Sequence, residues 1–111
     1  MAILSQDPAS QIFRALADPT RRQILQWLAA DACSVGELVA ASSLSQPGVT
    51  KHLGVLERSG LISRHHDGRY RRCQLRPDAL ALVSAWLLAV RASWEERIYV
   101  SEDLYYHEDD V

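Results

Sequence analysis

Between Ser43 and Gly60 the chain gathers a hydroxyl, an amide and an ammonium near the start of one segment, at Ser45, Gln46, Thr50 and Lys51. Groups of this kind hydrogen-bond to phosphate oxygens and base edges, so the chemistry they suit is DNA contact and not bond making. Ser45 is a suitable N-cap, Leu44 and Val49 occupy the two positions of a hydrophobic staple, and Pro47 falls in the first turn, where a missing N–H does little harm. The pattern predicts a helix over about 45–58. Val49, Leu53 and Leu56 recur at helical spacing with His52 beside them, so one face packs inward while Gln46, Thr50, Lys51 and Gly54 face outward. No acid interrupts that face before Glu57. In isolation the same residues fit an ordinary amphipathic surface helix equally well, and the neighbouring elements have to decide.

The neighbour that follows is cationic. Gly60 ends the helix, and two extended runs, Leu61 to His66 and Arg69 to Leu75, flank Asp67-Gly68, a strong hairpin signal. Alternation puts Tyr70, Arg72 and Gln74 on one face of the second run and Arg69, Arg71, Cys73 and Leu75 on the other. From Lys51 to Arg76 there are seven Lys or Arg against two acids, whereas residues 77–111 hold two arginines against eight acids. The formal net charge of −2 therefore hides one basic surface, and it is clustering that matters for nucleic-acid binding. An arginine-rich hairpin at about 61–75 reads as a wing whose tip follows the phosphate backbone or enters a minor groove.

These groups need a scaffold to hold them. Asp7-Pro8 and Asp18-Pro19 are matching helix starts. The first helix, over about 8–17, presents Ile12, Phe13 and Leu16, and the second, roughly Pro19 to Ala30, presents Ile24, Leu25, Trp27 and Leu28. Arg21 and Arg22 lie near the N-terminal end of the second helix, where cations oppose the helix dipole, so they answer to something outside it, such as an acid or a phosphate. Ser34-Val35-Gly36-Glu37 is a capping box opening a short helix, and the brief Ser42-Ser43 loop then leads to Ser45. Two short helices so joined form a helix-turn-helix with the second in the recognition position.

Pro77 opens the last element, in which Leu80, Val83, Leu87, Val90 and Trp94 follow a 3–4 spacing. A helix over about 77–100, roughly 36 Å long at 1.5 Å per residue, exceeds what the domain needs for its own core. Leu80, Val83, Leu87, Val90 and Trp94 are thus expected at a dimer interface. The tail from Ser101 to Val111 reads as a solvated acidic end.

Composition sets the outer bounds. A chain of 111 residues with 48% hydrophobic content fits one folded domain, here taken as residues 1–111. No run approaches the ~18 apolar residues of a membrane span, and the N-terminus lacks the layout of a signal peptide, so a cytoplasmic protein is expected. Two cysteines, Cys33 and Cys73, lie far apart in sequence and form no metal-type pair. Cys33 precedes an N-cap, where a thiol pKa can be lowered, although a buried inert cysteine is the plainer reading. A redox-responsive alternative through Cys33 and Cys73, and metal sites at His65-His66 or at His107 with the tail acids, are minority readings. An enzyme would need a nucleophile and a positioned base in one pocket, and no motif surrounds Cys33 or His52, so no catalytic activity is expected. A protein-interaction module on the same scaffold is the remaining alternative.

The runs Phe13-Arg14-Ala15-Leu16-Ala17-Asp18-Pro19-Thr20-Arg21-Arg22-Gln23-Ile24-Leu25 and Leu44-Ser45-Gln46-Pro47-Gly48-Val49-Thr50-Lys51-His52-Leu53, with the Arg64 to Arg72 wing, resemble the ArsR/SmtB-like winged-helix repressors. The resemblance implies a mainly α fold with a small β-hairpin, a winged helix-turn-helix, that dimerises through its first and last helices, which adds Ile12 and Phe13 to the expected dimer interface. It implies binding to a dyad-symmetric operator in double-stranded DNA, and release by an inducer that the sequence leaves unidentified. Carried onto matching positions, it assigns Ser45, Gln46, Pro47, Thr50, Lys51 and His52 to the recognition helix and Arg64, Arg69, Arg71 and Arg72 to the wing. Gly48 and Gly54 depart from the residues usual in the family. So does the absence of thiol or imidazole from Glu37 to Ser42 and from Trp86 to Ile98, where metal-sensing members place their ligands. Soft or borderline metals need such groups in a closed set. The resemblance is therefore to the branch without the standard metal sites, and no metal or cofactor is expected.

Overall fold

The computed structural model describes residues 7–109, with side chains described as far as Ile98. Asp7 caps α1 (Pro8–Leu16) by accepting from the amides of Ala9 and Ser10, and Asp18 caps α2 (Pro19–Ala30) by accepting from the amide of Arg21. A two-residue strand, β1 (Cys33–Ser34), follows. Ser34 and Glu37 then complete both halves of the expected capping box at the start of α3 (Val35–Ala41).

Helix α4 (Gln46–Arg58) begins where Ser45 accepts from the Gly48 amide at 3.3 Å. Its end is equally well specified. Gly60 adopts φ +81°, the Gly60 amide donates to the Glu57 carbonyl and the Leu61 amide to the Leu56 carbonyl, each at 3.0 Å. This is a Schellman stop, with Leu56 and Leu61, the positions of its usual apolar contact, both fully buried. The positive φ is what calls for glycine.

Strands β2 (Ile62–Asp67) and β3 (Tyr70–Leu75) form the wing, joined through Gly68 and Arg69. Asp67 pairs with Tyr70, so the turn lies one residue later than Asp67-Gly68. Gly68 takes φ +62° at the first central position, which suits a tight hairpin and puts Arg69 at its tip. The sheet has three antiparallel strands in the order β1-β3-β2, where sequence reasoning expected only a hairpin. A two-residue strand has too little alternation to be read, and its pairing with β3 is non-local.

Ile24, Leu38, Val49, Leu53, Leu56, Leu61, Ile62 and Cys73 form the fully buried centre, clamped between the helix-turn-helix and the sheet. Trp27, expected inside, is only half-buried at its edge. The final helix, α5 (Pro77–Asp109), has 33 residues, about 50 Å at 1.5 Å per residue. It is longer than expected, because the helical backbone continues from Ser101 to Asp109, through most of the stretch read as a tail. The side chains of that acidic stretch, His107 included, lie outside the described residues.

α5 packs on α1 near its start, where Ala79 and Val83 are buried and Phe13 meets Trp86 edge-on at 5.6 Å between ring centroids. Ile12 and Val83 are only 3% and 4% exposed within this one chain. Those two dimer-interface assignments are therefore corrected: both residues face the protomer's own core. Leu87, Val90 and Trp94 are 52%, 50% and 59% exposed, so along the 3–4 spacing exposure begins at Leu87, with Leu82 and Trp86 also exposed beside it.

Candidate nucleic-acid interface

α3 and α4 carry one wall of a cleft of about 720 Å³ and the wing carries the other. Gln46 and Thr50 project from α4, while Arg64, Arg69 and Arg71 approach from β2, the turn and β3. Ser45, Gln46, Pro47, Thr50 and Lys51 are all exposed, as the helical spacing predicts once Val49, Leu53 and Leu56 are fixed in the core. The amide end of α4 also opens on this side, adding partial positive charge.

The cations divide into two sets. Lys51, Arg69 and Arg71 form no ion pair with any described residue. Arg64 and Arg72 do. The Arg64 guanidinium lies 2.8 Å from Glu57, and that hydrogen bond holds the Glu57 carboxyl below its ordinary range and pushes Arg64 up. Arg72 donates from Nε to Asp67 at 3.1 Å along the wing. All five were expected to meet DNA on equal terms, but two have protein partners to leave first.

His52 faces away from the cleft. Its Nδ1 lies 3.9 Å from Asp18 Oδ2 and 3.4 Å from Nη1 of Arg21, so the ring ties the recognition helix to the start of α2. His52 is half-buried and stands behind the residues that face outward.

Arg21 and Arg22 answer to groups outside α2, as expected, but to a different kind of group. Arg21 donates from Nε to the Ala15 carbonyl at 2.7 Å and from Nη2 to the Arg14 carbonyl at 2.9 Å, and Arg22 donates to the Leu16 carbonyl at 2.7 Å. They bind the carbonyls of the last turn of α1, where the Arg14 carbonyl also accepts from the Ala17 amide at 3.2 Å. Their partners are backbone carbonyls instead of an acid or a phosphate. The unfavourable placement on α2 was a legible signal, but its partner was not.

Known proteins share this arrangement. A family profile described as a helix-turn-helix domain matches residues 16–65. The transcriptional repressor SdpR of Bacillus subtilis is 30% identical over 79 residues, 71% of this chain and 88% of its own. The crystal structure of an ArsR family transcriptional regulator superposes with TM-score 0.75 and 38% identity, over 80% of this chain and 98% of that one. The chain belongs to the ArsR family. It is a DNA-binding transcriptional regulator and not an enzyme. A third likeness, to a homodimeric winged helix-turn-helix DNA-binding domain from Mycobacterium bovis, has 23% identity and TM-score 0.65 over 86% of this chain and 87% of that one, and bears on the fold.

Within the ArsR fold, the remaining candidate ligands are scattered. His65 and His66 are adjacent on β2, and His65 Nε2 lies 3.0 Å from Ser63 Oγ. Among the described residues no three His, Cys, Asp or Glu side chains group so as to hold a metal ion. The Cys33 thiol is not lowered by the N-cap beside it, in keeping with the plainer reading of an inert cysteine. Partial burial, followed by the charges of Glu37 and Asp31, pushes it up.

Proposed function

We propose that this ArsR-family chain acts as a homodimeric repressor of its own or an adjacent operon, binding a dyad-symmetric operator through α4 and the wing. The observation that carries the reading is the cleft itself, lined by Gln46 and Thr50 of α4 and by Arg69 and Arg71 of the wing, with Lys51 exposed next to Thr50 and Lys51, Arg69 and Arg71 all without a carboxylate partner among the described residues. Ser45, Gln46, Thr50 and Lys51 meet the major groove, with Pro47 fixing the helix entry, and Arg69 and Arg71 follow the backbone beside it. Arg64 and Arg72 set the wing's position and reach DNA secondarily, and His52 holds α4 from behind.

Dimerisation is supported by the exposed stripe of Leu87, Val90 and Trp94, joined at its base by Phe13 and Leu80. Two linked half-sites bind far more tightly than one small wing and helix can. Among the described residues no helix is long and apolar enough to cross a membrane, which accords with a cytoplasmic regulator. The inducer is an unidentified ligand or modification, and the standard metal ligand sets of the family are missing from the sequence.

The test is selection of genomic fragments by the purified protein, then anisotropy titration of the recovered site at several salt concentrations. A dyad-symmetric site near the protein's own gene, with a log–log salt slope near −0.9 per neutralised phosphate, is the expected result. Failure to enrich any fragment at low salt would turn the search to protein partners on the same scaffold.

A further inference from the structure

Cys33 and Cys73 stand directly opposite one another in the β1–β3 ladder. Residues so paired send their side chains to the same face with Cα atoms about 4.5–5.5 Å apart, inside the separation a disulfide spans. Cys73 is buried in the core, Cys33 is half-buried against it, and both are free thiols. Their position is mechanically useful. Ser34, the next residue after Cys33, caps α3 and lines the cleft, while Arg71 stands on the same strand and face as Cys73. In the reduced state this edge of the wing is held to the helix-turn-helix by a strand of only two residues.

We propose that Cys33 and Cys73 form a dithiol site that closes to an intrachain disulfide and pins the wing to the helix-turn-helix; its effect on DNA rests on the operator-binding reading above. With a peroxide as oxidant, the Cys33 thiolate, the more accessible of the two, attacks a peroxide oxygen. The O–O bond breaks, the leaving oxygen takes a proton, and Cys33 becomes a sulfenic acid. The Cys73 sulfur then attacks the Cys33 sulfur, the S–O bond breaks, and the Cys73 proton departs with that oxygen as water. Two thiols lose two electrons in all, and one peroxide is reduced to two waters. Burial raises both thiols above their ordinary value, so closure is slow near neutrality and faster as the pH rises.

The experiment treats the purified full chain with hydrogen peroxide, then alkylates, denatures and weighs it. Because the chain has two cysteines, a monomeric product about 2 Da lighter that takes up no alkylating agent is this bond. It should melt at least about 5 °C higher than the reduced protein, and reductant should reverse the change. Cys33→Ser, at the half-exposed position, should abolish both shifts even where Cys73→Ser fails to fold. A product cross-linked between chains, or Cys33 over-oxidised with Cys73 still alkylatable, overturns the proposal. Independently, the oxidised form should bind the recovered operator several-fold more tightly, because a pinned wing loses less freedom on binding. Bond formation with unchanged or weaker DNA binding overturns the control of the wing, while failure of both forms to bind DNA counts against the operator reading and leaves the mass result standing.

Discussion

Arg64 on β2 donates from Nη2 and Nε to one oxygen of Glu57 on α4, at 2.8 and 3.2 Å. That pair connects the wing to the recognition helix, and it divides the cationic residues by role. Lys51→Ala and Arg71→Ala should each weaken operator binding and lower the salt slope by about 0.9, one phosphate contact apiece. Arg64→Ala should change the slope by less than half as much, because its charge is already partly balanced by Glu57, while loosening the wing. Anisotropy titrations of the three variants from low to moderate salt check this; equal slope changes would show that Arg64 leaves Glu57 to bind DNA.

The extent to which all this can be read in the sequence follows from how local each cause is. Four helix starts were legible because Asp7, Asp18, Ser34 with Glu37, and Ser45 act on amides two or three residues away, and the fifth because Pro77 stands at the first position of α5. The outward face of α4 was legible for the same reason, its core positions repeating with helical period. What escaped depends on contacts between elements. The carbonyls that Arg21 and Arg22 cap belong to another helix, the partners of Arg64 and Arg72 lie seven and five residues away, and the register of Cys33 with Cys73 spans the helix-turn-helix. The stripe on α5 shows a further limit: one periodicity serves both the protomer's own core at Val83 and the exposed surface from Leu87 onward.

Gly48 lies inside the first turns of α4, where a Cβ would meet Ser45 Oγ at 3.4 Å and Leu44 Cβ at 3.6 Å, ordinary contacts. Gly48→Ala should therefore be accommodated and raise stability by up to about 1 kcal/mol through helix propensity. Urea unfolding checks the gain, and operator titration of the same variant gives a second reading. Unchanged DNA affinity is expected, whereas a large loss would mean that the DNA backbone packs directly on this glycine.

The two halves of the apolar stripe should respond differently to substitution. Leu87→Glu or Val90→Glu places a charge on an exposed surface of the protomer and should yield a folded monomer with operator binding weakened by orders of magnitude, as expected when two linked half-sites become one. Ile12→Ala opens a cavity in the core and should cost about 2–5 kcal/mol while leaving the subunit count unchanged in the folded fraction. Sedimentation velocity together with chemical unfolding separates the two classes. A stable dimer in both glutamate variants would remove α5 from the interface.

Asp18 caps α2 through the Arg21 amide, and that hydrogen bond, aided by His52 and Arg21, holds its carboxyl below the ordinary 3.8. A carboxyl with a lower pKa in the folded state contributes its stabilisation fully above the unfolded value and loses it as pH falls through the folded one. The cap should therefore weaken only below about pH 4. Asp18→Asn keeps a capping oxygen but cannot titrate, so it should fold nearly as well at neutral pH and show a flatter loss of stability on acidification. Asp18→Ala removes the acceptor at every pH and should cost about 1 kcal/mol even at neutrality. Denaturant midpoints of the three proteins from pH 7 down to about pH 3 measure the difference. Parallel curves for wild type and Asp18→Asn would mean that the acid limb belongs to other carboxyls, with Asp7 and Glu57, both also lowered in the folded protein, the next to replace.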